Sequence, residues 1–364
     1  MSVFLQEKLM ISKKLMKKNQ ISPSISILDA LRLMDEINKK LLFVVEKNDK
    51  FIGVISLGDI QRAIIKEISL ETPVKNIMRD IITIAKDCQS TDEIRQMMLE
   101  KRTEAMPVIN SDGKLVKVFY WEDFFSSGSF QEIKSINLPV VIMAGGVGSR
   151  LKPLTNVIPK PLIPINEKTI IEEIIDSFLK YSCSNFFITV NYRYEILKYY
   201  IDNNVIKNNI DVSYIREEKP LGTAGSLRLL RDKIKTTFFV SNCDILIDQD
   251  YSEILDYHKD NKNVLTVVAA MKNYSIPYGT LETGKDGLLT KITEKPEITF
   301  KINTGFYILE PELMDIIPDD KVFHITDLIK TLKENNKRVG VFPVTEKSWR
   351  DIGDWSEYLK LLNR

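Results

Sequence analysis

The sequence LPVVIMAGGVGSRLKPLTNVIPKPLIPI, residues Leu138–Ile165, contains a short apolar run followed by a glycine-rich turn. The run Val140–Ala144 is typical of a buried strand. Glycines have no Cβ, so the turn can curve tightly and present several backbone N–H groups to one anion. Arg150 ends the turn, and Lys160 follows between two prolines that stiffen its segment. Together these features predict a polyphosphate-binding loop, whose nucleotide-binding residues are Gly145, Gly146, Gly148 and Ser149.

Such a turn by itself is also compatible with an ordinary strand-to-loop connection. A dinucleotide fingerprint would need a third glycine where Leu151 stands, and a Walker A loop would need a G-K-[ST] ending, which is absent. The full string G-G-x-G-S-R-L-x-P-L-T-x-x-x-P-K-P-L-x-P-I is more specific than its glycines. It resembles the signature of the sugar-1-phosphate nucleotidyltransferases, which make nucleotide sugars from a nucleoside triphosphate. The resemblance implies catalytic roles for Arg150 and Lys160.

The composition excludes several other classes of protein. Fifty-one basic and 50 acidic residues give a net charge of +1, which predicts neither nucleic acid nor a membrane as a partner. The three cysteines are widely spaced and form no C-x-x-C pair, so neither a disulfide framework nor a zinc site is indicated. The amino terminus lacks the apolar region of a signal peptide. We therefore expect a cytoplasmic protein.

The first third of the chain contains an internal repeat. Residues 41–60 align with residues 105–124 at an offset of 64, and each copy has a helical stretch, a β-rich run, a turn, a second strand and an acidic helix start. The helical stretches are Leu28–Ile37 and Thr91–Leu99. Neither copy has enough apolar residues to close a core alone, so the two copies should pack as one unit.

This repeat resembles a CBS domain pair, a module that commonly binds adenine nucleotides. The first copy keeps the ligand pattern, in which Ser56 and Asp59 would bind a ribose and phosphate at a helix N-terminus. The second copy departs from the pattern at Lys117 and Tyr120, and for Asp123 simple helix capping is favoured. Capping is the alternative for Asp59 as well. The resemblance implies dimerisation between CBS pairs and hence a homo-oligomer.

These observations predict three segments. The CBS domain pair, with a regulatory role, occupies residues 1–125, a Ser- and Gly-containing linker occupies 126–137, and a catalytic domain occupies 138–364. In the third segment β-type runs, such as the predicted strand Phe238–Ser241, alternate with helical ones, such as the predicted helix Gly225–Arg231. We therefore predict an α/β fold, a Rossmann-like, mostly parallel sheet preceded by an α+β CBS pair. Ligands should bind where the strands end, beside the glycine turn.

A polar loop at residues 216–227, REEKPLGTAGSL, is a candidate nucleobase site. In the resembling family this loop contacts the base, which would involve Gly222 and Thr223. Guanine presents two adjacent donors that one carboxylate can accept together. Glu217 is the candidate acceptor and Glu218 the alternative, although both could be solvated carboxylates before a turn.

Two aspartates are candidate ligands of Mg²⁺, which prefers one or two carboxylates together with phosphate oxygens and water. Asp244 follows the apolar run at residues 238–241, and Asp351 lies in a W-x-D-x-G motif. Both match the metal-binding aspartates of the resembling family. A cap or turn is the alternative for Asp351, and Asp354 is interpreted as a helix cap.

Three further segments match the family's sugar-phosphate site: YGTLE (278–282), TEKPE (293–297) and INTGFYIL (302–309). The resemblance implies that Gly279 lets the sugar approach the backbone, that Glu294 accepts hydrogen bonds from sugar hydroxyls, and that Lys295 pairs with the sugar's phosphate. Asn303 would also face the sugar.

The combined arrangement resembles that of bacterial sugar-1-phosphate guanylyltransferases with an amino-terminal CBS pair. It implies GTP and a hexose- or hexosamine-1-phosphate, such as mannose-1-phosphate or glucosamine-1-phosphate, as substrates for surface-glycan or nonulosonic (legionaminic) acid synthesis. Two alternatives stay open. The same reaction could use UTP, CTP or dTTP, or the chain could be a non-catalytic nucleotide sensor on this scaffold.

Overall fold

The computed structural model describes residues 18–37, 39–78, 83–101, 103, 105–120, 123–124, 134–206, 210–353 and 355–362. The chain divides into two compact units, Met1–Glu132 and Ile133–Arg364. Most of the predicted linker, and also Asp354, lie outside the described residues.

The N-terminal unit has two three-stranded sheets, each with helices beside it. The first sheet has the order β1–β2–β3 and the second the order β4–β5–β6. The elements are β1 (Gln20–Ile21), α1 (Ile27–Ile37), β2 (Leu41–Val45), β3 (Phe51–Ser56), α2 (Leu57–Ile65), β4 (Ala85–Lys86), α3 (Thr91–Lys101), β5 (Ala105–Ile109) and β6 (Leu115–Tyr120).

The sequence repeat is reproduced in the strand register. Leu41 pairs with Ser56 in the first sheet, and Ala105 pairs with Tyr120 in the second, each pair shifted by 64 residues. Both antiparallel pairs carry an irregularity at the equivalent place, after Val44 and after Val108. An isolated antiparallel bridge joins Lys50 to Lys114, which are themselves equivalent positions. The two copies are therefore related by a local two-fold arrangement.

A core shared by both copies holds this unit together. Phe43 of the first copy clusters with Ala105, Leu115 and Val118 of the second. When apolar side chains of the two copies pack against each other, they bury apolar surface that neither copy could cover alone.

The C-terminal unit is built on a seven-stranded sheet of order β11–β10–β7–β12–β17–β14–β18. Its strands are β7 (Val140–Met143), β8 (Pro164–Ile165), β9 (Lys168–Thr169), β10 (Asn185–Val190), β11 (Asp211–Arg216), β12 (Phe238–Asn242), β13 (Ile245–Ile247), β14 (Leu265–Ser275), β15 (Thr280–Thr283), β16 (Leu289–Thr293), β17 (Glu297–Leu309), β18 (Val339–Thr345) and β19 (Trp349–Asp351). Its helices are α4 (Ile170–Leu179), α5 (Tyr194–Tyr200), α6 (Gly222–Gly225), α7 (Tyr251–Asp260), α8 (Ile325–Glu334) and α9 (Trp355–Leu362).

The predicted mostly parallel sheet is confirmed, with β17 as its antiparallel strand. β7 pairs in parallel with β10 and β12, so the strand before the glycine turn lies in the middle of the sheet. β17 runs antiparallel to both β12 and β14. It does so because β14 and β17 are the two sides of a long ribbon, with the β15–β16 hairpin at its end. A ribbon needs no crossover helix.

An aromatic core fills the space against one face of the sheet. The ring of Phe178 on α4 lies 5.0 Å from that of Tyr251, 5.4 Å from that of Phe239 and 5.6 Å from that of Phe306, between ring centroids. Within the described part of the chain, no helix combines the length and apolar character needed to cross a bilayer.

The predicted helix Gly225–Arg231 differs from the observed structure. The segment forms the short helix α6 and then a 3-10 turn at Ser226–Leu230. The backbone N–H groups of Ala224 and Gly225 donate to the carbonyl of Phe323, each at 3.0 Å. A contact with a distant segment thus satisfies N–H groups that have no partner within a first helical turn.

Gly222→Ala should destabilise the fold more than Gly287→Ala, because at Gly287 the added methyl group causes backbone strain but no steric overlap. Gly222 has φ +82°, and a Cβ there would lie 2.7 Å from the carbonyl oxygen of Phe323. Gly287 has a similar φ of +74° but no atom within 4 Å of its Cβ position. We expect Gly287→Ala to lower the free energy of unfolding by about 1–2 kcal/mol. Gly222→Ala should cost about 1–3 kcal/mol more because of the overlap. Urea unfolding measures both, and equal losses would contradict the steric argument.

Candidate active site

The glycine turn follows β7 and lies against the segment that carries Lys160. Gly148 has φ +69°, and a Cβ at this position would lie 2.9 Å from Cγ2 of Thr155 and 3.2 Å from Cβ of Lys160. The hydroxyl of Thr155 donates to the Gly148 carbonyl at 2.8 Å. Glycine is needed here because only it combines this backbone conformation with so close an approach. By contrast, a Cβ at Gly146 would have no atom within 4 Å.

Lys160 forms an ion pair with Asp244, which lies just after β12. Both side chains are nearly buried, with exposed fractions of 11% and 9%. The guanidinium of Arg150 lies 4.0 Å from the same carboxylate, but its side chain is 61% exposed. The buried ammonium therefore pairs with Asp244, while the guanidinium remains accessible to a ligand.

Two short strands bring Asp351 to Asp244. β13 pairs antiparallel with β19, with Ile245 opposite Asp351. The N–H of Ile352 donates to the backbone carbonyl of Asp244 at 2.9 Å. The two aspartates, far apart in sequence, are thus brought close together: Asp244 directly precedes β13, and Asp351 is the last residue of β19.

Gly353 provides the space where these charges meet. A Cβ on this residue would lie 2.5 Å from Oδ1 of Asp351, 2.9 Å from Oδ2 of Asp244 and 2.8 Å from a terminal nitrogen of Arg150. The Gly353 N–H also donates to Oδ1 of Asp351 at 2.7 Å. Two carboxylates and a guanidinium therefore surround one small volume that a larger residue would occupy.

The donor set fits the predicted Mg²⁺. Burial raises the pKa of Asp351, and the negative charge of Asp244 raises it further. A cation between the two carboxylates would relieve that repulsion. Among the described residues, no group of three or more His, Cys, Asp or Glu side chains could hold a metal ion. A two-carboxylate site suits Mg²⁺, since it completes its coordination with phosphate oxygens and water. The metal-binding role of Asp244 and Asp351 stays a prediction.

Glu217 is buried beside the start of the glycine turn, whereas Glu218 is exposed. A Cβ on Gly145 would lie 2.8 Å from Oε1 of Glu217. The N–H of Leu221 donates to Oε2 at 3.1 Å. Burial raises the pKa of Glu217, against hydrogen bonds from Leu221, Thr189 and Ser226 that lower it. A fixed, buried acceptor at the turn is consistent with the predicted contact to a nucleobase.

Gly222 and Thr223 have partners that the sequence did not indicate. Gly222 needs to be glycine because of the Phe323 carbonyl described above. The hydroxyl of Thr223 accepts a hydrogen bond from the N–H of Ile325 at 3.0 Å. These contacts fasten the loop to the start of α8, and a nucleotide contact at either residue stays a prediction.

Of the predicted sugar-phosphate residues, Asn303 lies on β17 of the long ribbon, whereas Gly279 directly precedes β15 and Glu294 and Lys295 lie between β16 and β17. A Cβ on Gly279 would lie 2.8 Å from Oε2 of Glu294. Lys295 is exposed and has φ +43°. Asn303 accepts a hydrogen bond from the N–H of Gly305, and a Cβ on Gly305 would overlap the side chain of Asn242 at the end of β12. Asn303 is thus near the strand that leads to Asp244, and Gly279 and Glu294 lie farther along the ribbon.

In the N-terminal unit, Ser56 and Asp59 form a capping box at the start of α2. The Ser56 side chain accepts from the Asp59 N–H, and the Asp59 carboxylate accepts from the Ser56 N–H at 2.8 Å. Asp59 also pairs with Arg62. Asp123 accepts from the N–H of Tyr120 at 2.7 Å, the equivalent contact in the second copy. The structure therefore gives Asp59 a capping role, and ligand binding at Ser56 and Asp59 stays a prediction.

Three residues at the site were missed from the sequence. Gly353 is the last residue of the W-x-D-x-G motif, but the motif does not indicate that this glycine leaves room for the surrounding charged groups. Trp355 donates its indole N–H to the carbonyl of Lys152 at 2.9 Å, and Tyr358 donates to the carbonyl of Pro164 at 3.1 Å. Helix α9 thereby holds both ends of the loop that carries Lys160. No local pattern in the sequence indicates that contact.

Comparisons with known proteins agree with this organisation. Residues 139–364 match the family model described as Nucleotidyl transferase. Residues 13–66 and 74–128 each match the CBS domain model. The prediction that this part of the chain is a pair of CBS domains is therefore confirmed.

The relatives named here align with about 60% of this chain. A mannose-1-phosphate guanyltransferase of Debaryomyces hansenii is 31% identical over 226 residues, which is 60% of this chain and 62% of the relative. The protein of that name from Saccharomyces cerevisiae is 30% identical over the same shares. The chain thus spans less than two thirds of the length of these curated relatives. The crystal structure of HddC from Yersinia pseudotuberculosis is 28% identical, with a TM-score of 0.49, and the match covers 62% of this chain and 98% of that one.

Gly353→Ala should disturb the cluster of charges, whereas Gly146→Ala should not alter the fold. The added methyl group at residue 353 would overlap Asp351, Asp244 and Arg150, and at residue 146 it would meet open space. We expect Gly353→Ala to lower the free energy of unfolding by about 1–3 kcal/mol. Gly146→Ala should leave it within about 0.5 kcal/mol of the unsubstituted protein. Equal stability of the two variants in urea unfolding would contradict the crowding inferred at Gly353.

Proposed function

The chain belongs to the nucleotidyl transferase family, and from this premise we propose that its C-terminal unit transfers GMP from GTP to a sugar-1-phosphate. Pyrophosphate is released and a GDP-sugar is formed. The observation that carries the proposal is the convergence of Lys160, Arg150, Asp244 and Asp351 beside the glycine turn. Two cations and two carboxylates around one small volume suit a substrate with a triphosphate and a metal ion.

The reaction depends on positioning and charge. A phosphate oxygen of the sugar-1-phosphate attacks the α-phosphorus of the triphosphate in line. The bond between the α-phosphorus and its bridging oxygen breaks, and pyrophosphate leaves with the electron pair. Arg150 and the amides of the glycine turn bind the β- and γ-phosphates, and Lys160 stabilises charge that develops at the α-phosphate. Asp244 and Asp351 would hold Mg²⁺, which when bound neutralises phosphate charge.

The preference for guanine rests on Glu217 and on the relatives. A carboxylate accepts from both adjacent donors of the guanine edge, and Glu217 is buried beside Gly145. The relatives at about 30% identity are named mannose-1-phosphate guanyltransferases, which favours mannose-1-phosphate over glucosamine-1-phosphate as the acceptor. A role for the product in surface-glycan or nonulosonic (legionaminic) acid synthesis remains a prediction from the resemblance, as does the cytoplasmic location.

The N-terminal unit is proposed to bind an adenine nucleotide and to regulate the reaction. Its two CBS domain matches support nucleotide binding in the region of Ser56 and Asp59. Assembly into a homo-oligomer through CBS pairs is proposed on the same basis.

The proposal is tested by pyrophosphate release with Mg²⁺. GTP, UTP, CTP and dTTP are each combined with mannose-1-phosphate and glucosamine-1-phosphate, with and without AMP or ATP. We expect turnover with GTP to exceed turnover with the other triphosphates. No pyrophosphate from any pair would overturn the enzyme assignment, and preference for another triphosphate would overturn the guanine assignment.

Lys160→Ala and Arg150→Ala should each lower kcat by about 10²–10³-fold, as expected for loss of one preorganised charge contact. Lys152→Ala is the matched control, because this exposed lysine lies in the same loop and its side chain lacks a described contact with Asp244. It should retain near-normal turnover. Near-normal kcat in Lys160→Ala would contradict its role at the α-phosphate.

Glu217→Gln should shift the base preference away from guanine. Glutamine presents one donor and one acceptor, so one guanine donor loses its partner while uracil and thymine gain a match. We expect kcat/KM for GTP relative to UTP to fall by about 10–100-fold. Glu218→Gln, at the exposed neighbour, should leave the ratio unchanged.

The same preference should depend on pH in the unsubstituted protein. The pKa of Glu217 is raised by burial, so the carboxylate that accepts two donors is present above that pKa and is lost as the pH falls through it. The ratio of kcat/KM for GTP to that for UTP should therefore decrease at acidic pH. In Glu217→Gln this ratio should not decrease at acidic pH. An identical pH profile in both proteins would exclude Glu217 as the residue that recognises the base.

A further inference from the structure

Three consecutive residues after β10, Asn191, Tyr192 and Arg193, contact both loops that surround the proposed nucleotide site. Asn191 donates from its side-chain amide to the backbone carbonyl of Glu217 at 2.8 Å. Arg193 donates to the carbonyl of Val157 at 2.7 Å and also to that of Asn156. One short segment thus touches the base loop on one side and the loop before Lys160 on the other.

Tyr192 completes the contact with the second loop. Arg193 Nε donates to the Tyr192 hydroxyl at 2.9 Å, and that hydroxyl lies 3.4 Å from the carbonyl oxygen of Thr155. Three successive carbonyls, those of residues 155 to 157, therefore face the Tyr192–Arg193 pair. Guanidinium is suited to this task because its N–H donors form a rigid planar fork, which a lysine cannot imitate.

The contact reaches the charged cluster through Thr155. The side chain of Thr155 donates to the Gly148 carbonyl at 2.8 Å, and Gly148 lies directly against Lys160. Arg193 thus fixes the backbone on which both the glycine turn and Lys160 rest. Its guanidinium is engaged by carbonyl oxygens, which argues against a direct contact with phosphate.

The backbone of Arg193 is itself in an uncommon conformation. Its φ of 52° and ψ of 40° lie in the left-handed region, at the position that precedes α5. For a residue other than glycine this conformation is energetically unfavourable. Such a cost persists where the surrounding contacts compensate for it, and it is common near functional sites.

We propose that Asn191 and Arg193 are positioning residues, Asn191 for Glu217 and the base, and Arg193 for Lys160 and the phosphates. The proposal rests on the nucleotidyltransferase function above. It predicts two separable defects: loss of Arg193 lowers kcat with every triphosphate, whereas loss of Asn191 mainly weakens the preference for guanine.

The test measures kcat and KM with GTP and UTP for Arg193→Met and Asn191→Ala. We expect Arg193→Met to lower kcat by about 10–100-fold, as a displacement of about 1 Å can do, with a smaller change in the KM for GTP. Added guanidinium ion at millimolar concentration should restore part of the lost kcat, and Arg193→Lys should stay impaired. Asn191→Ala should lower the GTP-to-UTP ratio of kcat/KM and change kcat less.

Arg231→Met is the matched control. Arg231 is a half-exposed arginine whose guanidinium pairs with Asp315 at 2.6 Å, and it does not belong to the proposed site. Its kcat should be near normal and insensitive to guanidinium.

The results distinguish failure of the proposed function from failure of the positioning role. If the unsubstituted protein releases no pyrophosphate from any substrate pair, the proposed function fails. If it is active and Arg193→Met keeps kcat within twofold, or loses activity without recovery by guanidinium, positioning by Arg193 is overturned. A large rise in the KM for GTP at unchanged kcat would instead indicate direct contact with the nucleotide, and it too would overturn the positioning role.

Discussion

The ion pair between Lys160 and Asp244 is the interaction on which the rest of the site depends. Both groups are nearly removed from water, so each would be costly to bury without the other. Their meeting requires the segment after the glycine turn to lie at the end of β12, which in turn requires β7 and β12 to be neighbours in the sheet. The position of Arg150 above the same carboxylate, and of Asp351 beside it, follows from that arrangement.

Much of this could be predicted from the sequence because the informative residues stand at the ends of short apolar runs. Val140–Ala144 and Phe238–Ser241 were both predicted as strands, and Arg150, Lys160 and Asp244 follow them in recognisable patterns. The repeat was equally informative, since equivalent residues in two copies adopt the same register. In both cases the pattern is local, or is repeated along the chain.

Long-range pairing could not be predicted in the same way. The pairing of β13 with β19 joins segments about a hundred residues apart, and neither strand has more than three residues. The ribbon of β14 and β17 extends past the apolar runs into exposed, mixed sequence, so its outer half carried no strand signal. The requirement for glycine at residue 222 arises from Phe323, and nothing near residue 222 indicates that neighbour.

The late position of Asp351 in the chain has a consequence for biosynthesis. Translation at about 5–20 residues per second places roughly 5–20 s between the appearance of Asp244 and that of Asp351. During this interval a nascent chain already contains the β7 and β12 segments and the Lys160–Asp244 partners, but it lacks the strand that brings the second carboxylate. A ribosome-bound intermediate would therefore hold Asp244 at the end of β12 without Asp351 beside it, and the pair of carboxylates would be completed only when β19 emerges from the exit tunnel.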